Sequence, residues 1–506
     1  LYLPGRLPAL PAEEHAALAS RFRFTAVTLP ELPGSPDRTV RQVHPALARI
    51  QAWVSSLGAS AALADLDGDG LPNDVCTVDP RSDRIVVQPV PGTGERYAAF
   101  AVDQPDHRIF IAPTGCVPSD LNEDGHQDLL VLYWGRPPIA YMRLPSSPSL
   151  AATAFVPVPV WTDAEIWNSN TATTTDLDGD GHLDIVIGNY FPDDVRLLDP
   201  AGAGPAPMQR SMSRAYNGGR NRLLLWSGAG TGDRPWVRFR DASDAMSEDA
   251  LRGWTHAVGA ADLDADGLPE LYITNDFGPD RLFHNRSTPG HVVLEEVRGQ
   301  RTWRTPASKV LGRDSFKGMG VDFGDLNGDL IPDIYVSNIA VAGIAVESHF
   351  LFMSEGPIES FRRGVAPYVD RSEPLGLSRS GWGWDSKLAD FDDDGVLEAV
   401  QAMGFIRGSV DRWPELHELT MANDELLPWT ALWPRFRPGD DISGREHTRF
   451  FVRSRKGVYE DIALDLGLEP RDNPYLTRGI AIADVDGDGD LDFVLAHQWR
   501  PFVFYR

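Results

Sequence analysis

No run of about 20 apolar residues occurs anywhere in the 506-residue chain, so no bilayer-spanning helix is encoded. Positive charge is scarce as well. Lys and Arg number 47 against 73 Asp and Glu, and the resulting formal charge of −26 argues against a nucleic-acid partner, since phosphate binding needs clustered cations. Cysteine is nearly absent: Cys76 and Cys116 leave open one disulfide or two small buried thiols. Common enzyme signatures are missing too, with no P-loop, dinucleotide fingerprint, zinc spacing or nucleophile elbow. The glycine runs at 92–94 and 228–232 sit in turns, and neither leads into a helix. The chain begins at Leu1 rather than Met and shows no signal peptide, the expectation for a mature or trimmed form.

What the chain does have is one acidic loop written seven times, each running into an apolar strand. A recurrence at this spacing marks a repeat architecture. The side chains are Asp65, Asp67, Asp69 and Asn73 or Asp74; Asp120, Asn122, Asp124 and Asp128; Asp176, Asp178, Asp180 and Asp184. They continue with Asp262, Asp264, Asp266 and Glu270; Asp325, Asn327, Asp329 and Asp333; Asp390, Asp392, Asp394 and Glu398; Asp484, Asp486, Asp488 and Asp492. Oxygen ligands at loop positions 1, 3, 5 and 9 suit Ca²⁺, with a main-chain carbonyl at position 7 completing the shell. Those carbonyls belong to Leu71, His126, His182, Leu268, Ile331, Val396 and Asp490.

An EF-hand would need a Glu at position 12 and flanking helices. Position 12 is instead Cys76, Val131, Ile187, Ile273, Val336, Gln401 and Leu495, within strand-like runs. The rival reading is a polar β-turn without metal. It weighs most at the fifth loop, where Leu330 stands in place of Gly, and the first loop has one extra residue before its last acid. The loop carboxylates number 26, so about seven Ca²⁺ would bring the charge from −26 to about −12. Calcium demand and possible disulfide use favour a secreted or periplasmic protein.

A strand of small residues precedes each loop, as at Ala59–Ala64 and Ile480–Ala483, and three more strands follow. Four antiparallel strands with a small-residue innermost strand describe a propeller blade. The expected fold is therefore all-β, a single seven-bladed propeller over 1–506 with a calcium loop in every blade. Its divisions are a closing strand and arm at 1–43 and blades at 44–119, 120–175, 176–261, 262–324, 325–389, 390–483 and 484–506. The last blade lacks an outer strand, which Phe22–Val27 is expected to supply, closing the ring. His44–Leu57 reads as a helix. Insertions fall at 200–220 and at 405–447, the second Trp-rich with a helical stretch near Glu415–Leu427.

These features resemble the FG-GAP/VCBS repeat superfamily, which includes the integrin α-subunit propeller, and more narrowly bacterial relatives of cartilage acidic protein. The segments carrying the resemblance are Ala261–Gly267 running on to Thr274–Gly278, and Arg478–Ala481 leading into Asp484. Family members often carry a further C-terminal domain, whereas this chain stops at Arg506. The resemblance implies adhesion or ligand binding for many members and lyase, dehydratase or cyclisation chemistry for some. Fold alone does not choose.

If the loops share one face, the inner-strand starts form the opposite mouth of the channel. Asn168, Asn170, Trp254, His256, Lys317, Trp382, Trp384 and Arg478 fall there, and second-strand ends add Tyr190, Asp276, His497 and Trp499. Aromatic walls with a few polar groups describe a ligand site; simple packing between blades is the alternative for each Trp. Asp322 and Lys387, three residues before their loops on adjacent inner strands, are expected to form an ion pair. The leading expectation is a ligand (glycan, small molecule or protein) held at this mouth. The alternative is an enzyme using His256, Lys387, Asp322, Asp385 and Arg478 for acid–base chemistry.

Overall fold

The computed structural model describes residues 10–506 apart from 35, 37, 148, 342–346 and 422, so the first nine residues of the N-terminal arm lie outside the described residues. Seven sheets of four or five strands are arranged as a β-propeller. In the first blade, Ser60–Ala64, Asp74–Asp79, Arg84–Pro89 and Phe100–Ala101 pair in sequence order. Each inner strand neighbours the next around the ring, and the seventh returns to the first. Every sheet takes in the strand before its loop. The sheets thus begin at Ser60, Ala112, Ser169, Thr255, Gly320, Gly381 and Thr477, while the loop aspartates used above as dividing points sit between the first and second strands.

Small residues on the inner strands are a steric necessity. A Cβ on Gly320 would stand 2.6 Å from the Trp384 carbonyl oxygen of the next blade. Polar side chains then stitch the inner strands together. Thr114 Oγ1 donates to Ser169 O (2.7 Å), and Asp322 and Asp385 accept from the N–H groups of Leu388 (2.7 Å) and Ile480 (2.9 Å). Cys76 and Cys116 form a disulfide between the first and second blades, closing a 40-residue separation.

Three segments differ in detail from the expectation. Ala26–Thr28 pairs antiparallel with Val503–Tyr505, so hydrogen bonding starts later than Phe22. The earlier residues bury rings instead: Phe22 meets Phe450, and Phe24 meets Phe391 and Phe493. The 44–57 segment is a 3₁₀ turn, Pro45–Ile50, followed by a short α-helix, Gln51–Val54. The helix in the long insertion is Trp413–Thr420, set by Pro414 in its first turn and held by buried Leu416 and Leu419. Gly408–Asp411 and Gly439–Asp441 add a two-stranded parallel ribbon to that insertion.

Position 6 of every acidic loop has positive φ, from Gly70 (94°) to Gly489 (97°), and Leu330 is forced into the same region at 67°. A side chain there costs about 1–2 kcal/mol. Leu330→Gly is expected to raise stability by about 1 kcal/mol in urea unfolding with calcium present, and an unchanged or lower midpoint contradicts this. Replacing Cys76 and Cys116 by Ser is expected to cost about 2–4 kcal/mol in the same assay, from the loop entropy returned to the unfolded chain.

Candidate functional site

The acidic loops wrap around their first aspartate. Asp176 Oδ1 accepts from Gly179 and Asp180 N–H (2.8 and 3.1 Å), and Oδ2 from Gly181 N–H (2.9 Å). The position-7 N–H donates to the position-5 acid, as His182 does to Asp180 (3.0 Å). The last acid dives beneath the loop. Asp184 accepts from Leu177 N–H (3.0 Å) and from Trp226 N–H on the third strand (2.8 Å). The bond to the residue after the first aspartate recurs in all seven loops. In the first loop Asp74 makes it, while Asn73 donates to Asp69 (3.0 Å); the extra residue is accommodated without losing the bond.

These loops fit cations. In at least four of them three acidic side chains each place an oxygen within 4.8 Å of the others: Asp65, Asp67 and Asp69; Asp176, Asp178 and Asp180; Asp262, Asp264 and Asp266; Asp390, Asp392 and Glu398. At position 3, one oxygen each of Asn122, Asp178, Asp264, Asp392 and Asp486 is buried without a hydrogen-bond partner. Burial, reinforced by neighbouring carboxylates, pushes Asp128 and Asp184 up to about 7 and Glu270 and Glu398 up to about 8. Protein cations reach three loops: Arg96 bonds Asp67 and Asp74, Arg21 bonds Asp392 and Asp394, and Arg506 bonds Asp486.

The inner strands enclose a channel cavity of about 450 Å³. Strands such as Gly381–Ala389 start buried and become half-buried towards their loops, so the channel opens on the loop side. Its other end is plugged. The Arg478 guanidinium lies 4.2 Å from the Trp384 ring, Trp384 meets His256 edge-on at 5.5 Å, and His256 stacks on Tyr190 at 4.2 Å. Tyr190 donates to Asp276 (2.5 Å), and Asn170 accepts from Trp134 Nε1 (2.9 Å) while its amide nitrogen stands 3.3 Å from His256 Nδ1. The mouth expected to hold a ligand between aromatic walls is therefore a packed plug over its central part. Tryptophans gain more by being buried against Trp53, Phe405 and Phe436 than by facing water.

Arg478 also fastens the cover. It donates to the carbonyls of Ser56 (2.7 Å), Gly404 (2.8 Å), Thr477 (3.0 Å) and Phe405 (2.7 Å), spanning the N-terminal helical segment and the long insertion. Burial pushes it down to about 9, which still leaves it cationic at neutral pH.

The expected Asp322–Lys387 pair is replaced by a closer one. Lys387 Nζ lies 3.4 Å from Asp385 Oδ1, because residues two apart on a strand share a face. Asp385, and secondarily Asp322, raises Lys387, whereas burial raises Asp322. The lysine is thus held as a cation, unsuited to act as a base.

A second cavity, about 360 Å³, lies on the face away from the loops, beneath the Trp413 helix. Lys317, Asp276 and Trp382 of the expected set line it, joined by Trp53, Trp413, His417 and Glu347. Lys317 pairs with Glu347 at 2.5 Å, Trp382 is 6.1 Å from Trp53 and 5.8 Å from Trp413. Trp53, Trp413 and His417 escaped the repeat alignment because they come from segments outside the repeats, and Glu347 because it sits in a connection between two strands of the fifth blade. The Trp-rich composition of 405–447 was the available signal.

The remaining expected residues serve the scaffold. Asn168 bonds Pro192 and Val195 carbonyls, Trp254 is buried against Tyr190 and Phe277, and Trp499 lies under Arg41. His497 is fully buried with Thr477 as its partner (3.1 Å), and burial pushes it down to about 3.

A family model described as an FG-GAP-like repeat matches residues 120–187 and 262–336. Those two stretches are similar to FG-GAP-like repeats. The two matched stretches hold four of the seven acidic loops, those starting at Asp120, Asp176, Asp262 and Asp325. Cartilage acidic protein 1 of Xenopus tropicalis is 26% identical over 187 residues, covering 37% of this chain and 25% of that protein. The match thus spans about a quarter of the relative's length. The crystal structure of rhamnogalacturonan lyase YesW superposes with a TM-score of 0.30 at 13% identity, over 85% of this chain and 79% of that one, a likeness too loose to carry an argument.

The depressed His497 titration has a measurable consequence. Its folded pKa lies below the unfolded value of about 6.5, so the unfolded chain takes up the proton first. Its stability contribution is complete above that pH and falls by about 1.4 kcal/mol per unit as pH drops towards the folded value. Between pH 7 and 5, wild type is expected to lose about 2 kcal/mol more than His497→Gln in urea unfolding; equal losses contradict the assignment.

Proposed function

We propose that this protein is an exported, calcium-binding propeller that holds a saccharide-like ligand in the cleft between the Trp413 helix and the ends of the fourth to sixth blades. The observation that carries this reading is the cleft itself: half-buried Trp413 stands over buried Trp53 and Trp382, beside the Lys317–Glu347 pair, Asp276 and His417. Aromatic faces bury the apolar faces of a sugar ring, and charged groups at the margin take its hydroxyls. A small molecule of similar chemistry, or a protein side chain, would use the same groups.

Calcium is assigned to each loop because oxygen-only donors, loop flexibility and the unpartnered position-3 oxygens suit a hard cation of larger radius. Its work is structural: it neutralises carboxylates that otherwise repel one another. The strand Ala26–Thr28 is assigned the closure of the ring, since it covers the edge of the last blade. Export is supported by the calcium demand and by the Cys76–Cys116 disulfide. Acid–base catalysis in the channel is the weaker reading, because Lys387 is held charged and His256, Asp322, Asp385 and Arg478 are all engaged in structural contacts.

Two measurements test this. Chelation is expected to lower the melting temperature, with recovery on adding Ca²⁺ but not on adding salt alone; no shift would refute structural calcium. A panel of neutral and acidic oligosaccharides, read by calorimetry, is expected to give a binder whose affinity drops at least tenfold in Trp413→Ala, about 1.4 kcal/mol. A binder indifferent to Trp413→Ala, or no binder in the panel, counts against the cleft.

A further inference from the structure

The fourth blade carries an imidazole at a position that is apolar in the other blades apart from the seventh, where Arg506 stands opposite Asp492. The antiparallel register that pairs Leu271 with Phe283 carries the last acid, Glu270, opposite His284 on the third strand. The same register in the second, third, fifth and sixth blades places Met142, Leu225, Met353 and Val452 there. An imidazole replaces an apolar side chain in a dry interior, which needs a reason.

His284 keeps only 3% of its side chain exposed, yet its Nδ1 has no hydrogen-bond partner. Its Nε2 lies 3.2 Å from Asp264 Oδ2. The other oxygen of Asp264 is also buried and unpartnered, in a side chain that is 10% exposed. An imidazole nitrogen, an Asp264 oxygen and a Glu270 oxygen all fall within 4.8 Å of one another.

We propose that Asp264, Glu270 and His284 bind a borderline divalent transition-metal ion, with Zn²⁺ the best match, beside the hard-cation position of the same loop. Two ligands about 2.1 Å from a tetrahedral ion stand about 3.4 Å apart, which is close to the observed nitrogen–oxygen separation. One imidazole with two carboxylates is a donor set that calcium does not favour and zinc does. Asp264 and Glu270 serve both positions, and the two Asp264 oxygens, one facing His284 and one unpartnered, each gain a cation. The proposal stands apart from calcium in the loops, whose melting test reads a different ion.

A rival account makes His284 a counter-ion to Asp264, as Arg96, Arg21 and Arg506 are to the position-3 acids of their loops. The experiment separates the two. The full chain, saturated with Ca²⁺, is titrated with Zn²⁺ against a chromophoric chelator. His284→Met, the residue that the second and fifth blades use, is titrated alongside. One tight Zn²⁺ per chain in wild type, weakened at least tenfold in the variant, is the expected result. Equal Zn²⁺ affinity in the two proteins, or no zinc bound above the calcium background, overturns it. Crystals of wild type soaked in Zn²⁺ decide the matter should the variant fail to fold. An anomalous peak at coordination distance from His284 supports the site, and its absence leaves the counter-ion account.

Discussion

The bond that the last loop carboxylate accepts from a backbone N–H at the start of the same loop is the constraint on which the molecule rests. In each blade the acid at the start of the second strand, Asp74 through Asp492, reaches under the loop to the residue following the first aspartate. In the second to fifth blades its other oxygen takes an N–H from the third strand. One buried side chain thus fixes the loop, the second strand and the third strand to one another. The cost is a carboxylate in a place that disfavours its charge, surrounded by others of the same sign. A fold that buries such a carboxylate at seven loops accumulates a problem that loop-bound cations would resolve.

Much of this was legible from the residues. The spacing of Asp, Gly and apolar runs gave the strand junctions, and Leu330 could be recognised as a strained stand-in for glycine because six sister loops show what it replaces. The first loop's extra residue could not be placed, since Asn73 and Asp74 both offer oxygen; only the buried bond to Leu66 singles out Asp74. The far face was less legible. Repeat alignment correctly located Trp384, His256 and Arg478 at the end of the channel but could not tell an open mouth from a plugged one. That depends on what lies above them, and the cover comes from Trp53, Phe405 and Trp433, in segments with no counterpart in other blades.

Function consequently separates into two levels. The repeats set a rigid ring with a channel that opens towards the acidic loops and is shut at its other end. Segments free of the repeat's constraints cover that shut end, and with the ends of the fourth to sixth blades they form the cleft. Arg478 joins these levels: a cation on an inner strand, without an acidic partner among its hydrogen bonds, holds two non-repeat segments by their carbonyls. Its charge is shared with the Trp384 ring, so the channel plug and the roof of the cleft are parts of one assembly.

The pairing of Ala26–Thr28 with Val503–Tyr505 bears on how the ring carries load. Ala26 faces Tyr505, so the chain arriving from the N-terminal side and the chain leaving on the C-terminal side meet at the same end of the ladder. Tension applied through those two segments would act across the hydrogen bonds in succession, peeling them singly, where a shearing geometry would load them together. Phe22 and Phe24, wedged between the sixth and seventh blades, stand just ahead of that ladder. A pulling force from the N-terminal side would have to extract their rings before it reached the hydrogen bonds of the strand.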